Sequence, residues 1–134
     1  MKILTRQDIV AAQDILTETV EVPEWDGAVI IKMMSGADRD RFENSMVVVG
    51  PDGKRIANMT NMKSKLVAMC AVDEKGNLLF GADEVDHLAA KSSAAIERLY
   101  EAAQKLNALE PKDAETAVKN SAPGPNGASP SVSP

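Results

Sequence analysis

The large apolar side chains of this chain become scarce after residue 110, and this boundary limits what the sequence can fold into. From Ser121 to Pro134 the sequence contains only Ser, Ala, Pro, Gly, Asn and Val. Such a stretch cannot bury enough apolar surface to offset the loss of about 1–2 kcal/mol of backbone entropy per residue. We therefore predict one domain over residues 1–110 and a disordered Pro/Ser/Gly-rich tail over residues 111–134.

The apolar residues available for the core are mostly aliphatic. Aromatic residues make up only 3% of the 134-residue chain, while seven residues are methionines. Leu, Ile, Val, Met and Ala must then fill the interior, and the flexible Met side chain adapts to irregular gaps.

Apolar residues at helical spacing predict five helices. Their approximate bounds are 5–17, 36–48, 55–71, 82–91 and 92–108. Thr5 with Asp8, and Ser35 with Asp38, form capping patterns at the first two starts. The inner faces of the second and third helices are predicted to include Phe42, Met46, Val49, Ile56, Met59, Leu66, Val67 and Cys70. Those of the first and last helices are predicted to include Ile9, Ala12, Leu16, Ile96, Leu99, Ala103 and Leu106, with Leu109 as a further candidate.

A change of period after Thr19 predicts strands. Val20 and Val22 alternate with glutamates, and Asp26-Gly27 is typical of a hairpin turn before a return strand over residues 28–34. A shorter second hairpin is predicted around residues 71–80. The fold class is therefore α+β: a mostly α-helical single domain with a small antiparallel sheet.

Charge and composition exclude several classes of function. A net charge of −5 argues against a nucleic-acid binder, which usually carries a basic patch. No apolar run approaches the roughly 20 residues that a membrane span needs, and no apolar signal core follows the N-terminal charges. The single cysteine rules out an intramolecular disulfide and fits a reducing compartment.

The sequence offers no convincing catalytic or metal site. His87 is the only histidine, and its pattern is that of a surface helical residue. Cys70 ends an apolar stripe and is predicted to be an inert, buried thiol. Residues 73–84 resemble a calcium loop in length, but Lys75 occupies a ligand position and Leu78 replaces the turn glycine. We predict a protein that is not an enzyme and needs no cofactor or metal.

Two features suggest contacts with other proteins. Trp25, the only tryptophan, either folds back over the sheet or forms an exposed anchor for a partner. The charge is also uneven: residues 7–31 contain acidic but no basic residues, whereas residues 32–65 are rich in Lys and Arg. This polarity is either a solvated surface or a head-to-tail contact between copies, which would build open assemblies.

Four stretches in collinear order resemble the tail assembly chaperones of long-tailed, siphovirus-type bacteriophages and prophages. They are VEVPEWDG at 20–27, MSGADRDRFE at 34–43, KLVAMCAVDEKGNLLF at 65–80 and LAAKSSAAIERL at 88–99. The resemblance covers about residues 15–109. Gly81 departs from the family pattern, which often has Thr or Ser there, although glycine still serves as an N-cap.

The resemblance implies a non-enzymatic protein of the bacterial host cytoplasm. It would bind the tape measure protein, promote polymerisation of the major tail tube protein, and be absent from the mature virion. Trp25, Arg39 and Arg41 lie in the matching stretches and are the predicted partner-binding residues. A longer form made by ribosomal frameshifting is also implied. The alternative is a connector or tail-completion subunit that the virion retains.

Overall fold

A computed structural model describes residues 1–109, in which helices pack against a three-stranded antiparallel sheet. The helices are α1 (Arg6–Ala11), α2 (Gly36–Ser45), α3 (Met62–Cys70), α4 (Val85–Ala89) and α5 (Ser93–Leu106). The strands are β1 (Thr17–Val22), β2 (Gly27–Lys32), β3 (Val47–Val49), β4 (Arg55–Ala57) and β5 (Ala71–Val72). Short 3₁₀ turns span Pro23–Trp25 and Ala82–Glu84. The predicted α+β class is confirmed.

The main sheet has the order β1-β2-β5, with both pairs antiparallel. Its first hairpin is the predicted one, and its register runs from Thr17 opposite Lys32 to Val22 opposite Gly27. The positive φ of the turn lies at Asp26 (54°) and not at Gly27. An aspartate tolerates this left-handed backbone better than most residues do, so the turn does not need glycine there.

The core lies where α3 and α5 pack together and α5 crosses β1 and β2. Its largest fully buried side chains are Ile31, Met46, Leu66, Leu99, Val22, Val67 and Cys70. The stripe predicted in the last helix is confirmed, since Ile96, Leu99 and Ala103 are all buried. The capping boxes at Thr5 and Ser35 also form as predicted, with Asp8 and Asp38 as the reciprocal partners.

A buried asparagine at the end of α5 ties four parts of the fold together. The Asn107 Oδ1 accepts the backbone N–H of Met34 at 2.8 Å, and its Nδ2 donates to the Ala103 carbonyl at 2.8 Å. The same Nδ2 lies 3.6 Å from the Cys70 sulfur. The Asn107 carbonyl accepts from Arg39 Nη1 at 3.3 Å. This residue therefore joins α2, β2 and α3 to the last helix.

Three of the predicted helices were too long. The helix predicted over 5–17 ends at Ala11, and β1 already begins at Thr17. The helix predicted over 36–48 ends at Ser45, because the β-branched run Val47–Val49 forms β3 instead. The first three residues of the helix predicted over 55–71 form β4, which pairs with β3 around a turn in which Gly53 has φ 81°, and α3 begins only at Met62.

Several apolar residues in and beside these misassigned segments are exposed and not buried. Val49, Ile56 and Met59 were predicted to face the core, but Val49 is 68% exposed and Ile56 is 51% exposed. The last two helices were predicted nearly correctly. The second hairpin is reduced to β5 and a single bridge between Val72 and Leu78.

The domain boundary at 110 and the tail predicted over residues 111–134 lie outside the described residues. Within the described part, none of the helices is long and apolar enough to span a membrane.

Candidate protein-binding clefts

A cleft of about 420 Å³ lies between α2, α3 and the segment that follows β5. We call it the α2–α3 cleft. Its apolar lining comes from Ala68, Met69, Leu78, Phe80 and Val85. Met69 and Phe80 pack against the core with one side and remain partly exposed on the other. The cleft therefore offers an apolar floor to a side chain arriving from outside.

Charged residues of α2 and α3 border the α2–α3 cleft. Arg41 forms an ion pair with Asp38, and both side chains are at least partly exposed. Lys65 Nζ donates to the carbonyl of Ser45 at 3.0 Å, so its charge lies at the C-terminal end of α2. That end carries the negative pole of the helix dipole, which the ammonium group offsets.

A second cleft of about 320 Å³ surrounds Trp25. We call it the Trp25 cleft, and Phe80, His87, Leu88 and Lys91 complete its lining. Trp25 is half-buried and packs against the core, so its ring covers part of the fold while its exposed part borders an opening. Phe80 lines both clefts, which makes them neighbours on one surface.

The 3₁₀ turn that carries Trp25 is held to α5 by a bidentate ion pair. Arg98 Nε and Nη2 donate to the Glu24 carboxylate at 3.0 to 3.2 Å. The guanidinium lowers the pKa of the Glu24 carboxyl from its ordinary value. Because the pair joins residues 74 positions apart, it fixes the hairpin end relative to the last helix.

Of the other two predicted partner-binding residues, Arg41 borders the α2–α3 cleft, whereas Arg39 lines neither of these two clefts. Arg39 is engaged within the fold, where its Nε lies 3.3 Å from Glu43 and its Nη1 bonds the Asn107 carbonyl. Sequence reasoning missed Met69, Leu78 and Val85. Met69 lies outside the apolar stripe of α3, so its spacing in the sequence gave no signal.

The reactive and titratable side chains considered in the sequence analysis form no catalytic arrangement in the structure. Cys70 is fully buried, and burial raises its pKa to about 12, so the thiol stays protonated and unreactive. His87 is exposed. The Asp73 carboxylate accepts the backbone N–H groups of Asn77 and Lys75, which lowers its pKa and closes a turn. Among residues 1–109, no three His, Cys, Asp or Glu side chains are grouped so as to hold a metal ion.

Fold and surface together define a small α+β protein whose open clefts are apolar and bordered by charge. The sequence model of the phage tail assembly chaperone family matches residues 5–120, and the chain therefore belongs to this family. Its fold is similar to the structure of the bacteriophage HK97 tail assembly chaperone, with a TM-score of 0.52 and 21% identity over 75% of this chain and 90% of that chain. No curated protein sequence matches it. The family predicted from the four sequence stretches is confirmed.

Proposed function

We propose that this protein binds the tape measure protein of a long-tailed phage in the host cytoplasm, promotes polymerisation of the tail tube protein, and is absent from the mature virion. The observation that carries the proposal is the pair of adjoining clefts that meet at Phe80, in a member of the tail assembly chaperone family. No covalent step is needed for this role, and the proposal assigns none.

The α2–α3 cleft suits an amphipathic helix. Helices that dock in grooves present apolar side chains one turn apart, while charged residues beside the stripe meet the rim. A volume of about 420 Å³ falls within the range of ligand-binding clefts, which suits a few side chains and not a whole domain. Met69 adds adaptability, because an unbranched thioether fits differently shaped partners.

The three predicted partner-binding residues have different roles in this proposal. Trp25 supplies an apolar edge to the second cleft, and Arg41 supplies charge at the rim of the first. Arg39 acts indirectly, because it holds α2 to the end of α5 and so positions Arg41.

Co-expression with the tape measure protein tests the proposal. We expect the wild-type chain to keep the tape measure protein in the soluble fraction and to co-purify with it. Met69→Lys places a charge on the cleft floor and should abolish both effects, with at most a moderate fall in melting temperature, because Met69 packs against the core with one side only. Met59→Lys is the matched control, since Met59 is exposed outside both clefts. Equal behaviour of the two variants would refute the assignment of the cleft.

Trp25→Ala tests the second cleft separately. Because the ring is half-buried against the core, we expect a moderate fall in melting temperature together with weaker binding of the tape measure protein. A large fall in melting temperature with binding intact would assign Trp25 to the core alone.

A subunit that the virion retains is the competing function. Mass spectrometry of purified virions distinguishes the two, because a chaperone is absent and a connector is present in a fixed ratio to the tube protein. The nucleotide sequence of the gene tests the proposed longer frameshifted form. If it contains no slippery heptamer near the codons for Lys119 and Asn120, frameshifting at that place is excluded.

A further inference from the structure

The Trp25 cleft concentrates aromatic side chains in a chain that has few of them. The chain contains one tryptophan, one tyrosine and two phenylalanines, and both Trp25 and Phe80 line this cleft of about 320 Å³. Each of these two rings packs against the core and remains partly exposed. Leu88, which is buried, adds further apolar surface to the lining. Partly open aromatic side chains are typical of binding hot spots, so the cleft is suited to an apolar side chain from a partner.

The polar side chains at the Trp25 cleft are donors and not acceptors of negative charge. They belong to His87 and Lys91, and among the described residues no carboxylate lines this opening. Both side chains are exposed, and neither forms an ion pair within residues 1–109. An ammonium group donates only, and an imidazole has an N–H donor in either neutral tautomer. In a chain with a net charge of −5, an opening of this kind selects for an acidic ligand.

The carboxylates that are next to lining residues in the sequence are engaged elsewhere. Glu24 accepts two hydrogen bonds from Arg98 Nε and Nη2 at 3.0 to 3.2 Å. Asp86 accepts from Asn61 Nδ2 at 3.4 Å. Neither Arg98 nor Asn61 lines the cleft. The fold therefore occupies the two nearest carboxylates with other partners and leaves the donors of the cleft without an acidic partner from the described part of the chain.

The neighbouring α2–α3 cleft has no comparable preference for negative charge. Its own lining includes the carboxylate of Asp38, which is paired with Arg41. The charge of Lys65 is held at the Ser45 carbonyl, 3.0 Å away. Because Phe80 lines both clefts, a segment bound in the first can continue into the second. The Trp25 cleft is therefore the one of the two that can select a partner by its charge.

From these observations we infer that the Trp25 cleft binds an acidic amphipathic segment of the tape measure protein. One apolar side chain of the segment enters beside Trp25 and Phe80, and Asp or Glu side chains one turn away accept hydrogen bonds from Lys91 and His87. The inference rests on the proposed function for the identity of the partner and adds the chemistry of the bound segment. Segments with basic or uncharged residues beside the apolar stripe bind more weakly.

Overlapping peptides of about 20 residues, long enough for several helical turns, provide the probes. They cover the tape measure protein and the tail tube protein of the same phage, and fluorescence anisotropy of labelled peptides with the full chain measures each Kd. We expect the tightest binders to come from the tape measure protein, with net negative charge and apolar residues one turn apart. A tightly binding peptide without tryptophan should also change the emission of Trp25, which places it at this cleft.

Charge reversal at Lys91 then tests the recognition directly. Lys91→Glu exchanges an attraction for a repulsion, so we expect about tenfold weaker binding of the tightest acidic peptide. The same variant should bind a charge-inverted peptide, with Lys in place of Asp and Glu, more tightly than the wild type does. Lys91→Arg should bind like the wild type. Lys54→Glu is the matched control, since Lys54 is exposed and lines neither cleft. Circular dichroism checks that every variant is folded.

Several results would overturn the inference. The tightest tape measure peptides could be basic or uncharged, only tail tube peptides could bind, or no peptide could bind the wild type. Equal binding of the acidic peptide by Lys91→Glu and Lys54→Glu would also overturn it. The proposed function is judged separately by the solubility of the co-expressed full-length tape measure protein. A wild type that keeps this protein soluble without any charge preference contradicts the inference alone, whereas acidic peptide binding without solubility protection contradicts the proposed function alone.

Discussion

Replacing Asn107 with Leu tests whether the buried polar contact at the end of α5 stabilises the fold. The two side chains are similar in size, so the change removes hydrogen bonds with little change in volume. The Met34 N–H loses its 2.8 Å acceptor, and the Ala103 carbonyl loses its side-chain donor but keeps the backbone N–H of Asn107. The variant therefore measures the free-energy cost of leaving one buried donor, the Met34 N–H, without an acceptor.

The expected cost follows from the two groups affected. A buried N–H left without a partner costs about 1–3 kcal/mol, and a typical hydrogen bond contributes a net 0.5–1.5 kcal/mol. The Leu side chain recovers part of this by burying more apolar surface. We expect a loss of about 2–3 kcal/mol, which for a domain of about 110 residues corresponds to a fall of roughly 8–12 °C in melting temperature.

Urea and thermal unfolding of the full chain measure this loss. Trp25 fluorescence reports the transition, since the chain has one tryptophan. Asn44→Leu makes the same chemical change at an exposed site of a helix and should shift stability by less than about 0.5 kcal/mol. Hydrogen exchange of the Met34 amide should accelerate in Asn107→Leu alone. A melting temperature within 2 °C of the wild type, roughly the effect of 0.5 kcal/mol, would refute the reasoning.

Three further predictions concern groups outside the clefts. Because burial raises the pKa of Cys70 to about 12, iodoacetamide at pH 8 should label it only after unfolding, as mass spectrometry can show. Ala108 has φ 53°, so Ala108→Gly should add roughly 0.5–1 kcal/mol to the free energy of unfolding, whereas Ala94→Gly inside α5 should subtract a similar amount. The Glu24 carboxyl has a lowered pKa because of Arg98, so the stability it contributes is present above its ordinary pKa of 4.5 and is lost as the pH falls through the lower folded value. Acid titration should show that Arg98→Met loses less folding stability than the wild type as the pH falls below 4.5.

The end of α5 shows which parts of the fold sequence reasoning finds and which it misses. The stripe of Ile96, Leu99 and Ala103 predicts the helix, because one periodic signal determines both its face and its length. The closing motif carries no such signal. Ala108 takes the left-handed position usually filled by glycine, and the Leu109 N–H bonds the Gln104 carbonyl at 2.9 Å. A long-range partner, such as Met34 for Asn107, leaves no local pattern at all.

The candidate site was predicted in part for a similar reason. Trp25 was singled out as the only tryptophan, and Arg41 because it lies in the stretch at 34–43 that resembles the family. The cleft floor was missed because Met69 has no distinctive spacing, and its neighbours Phe80 and Val85 come from a different part of the chain. A cleft is formed by the meeting of elements, so only tertiary structure identifies its lining.

The wrong predictions for the first and third helices have one physical origin. Periodicity predicts burial, and the predictions over 5–17 and 55–71 assumed that Ile9, Leu16, Ile56 and Met59 are buried within this chain. All four are exposed. A sequence that retains apolar residues at exposed positions risks aggregation unless another surface covers them. Spacing alone cannot tell whether an apolar face is buried within the chain, and this is why these two segments were assigned wrongly.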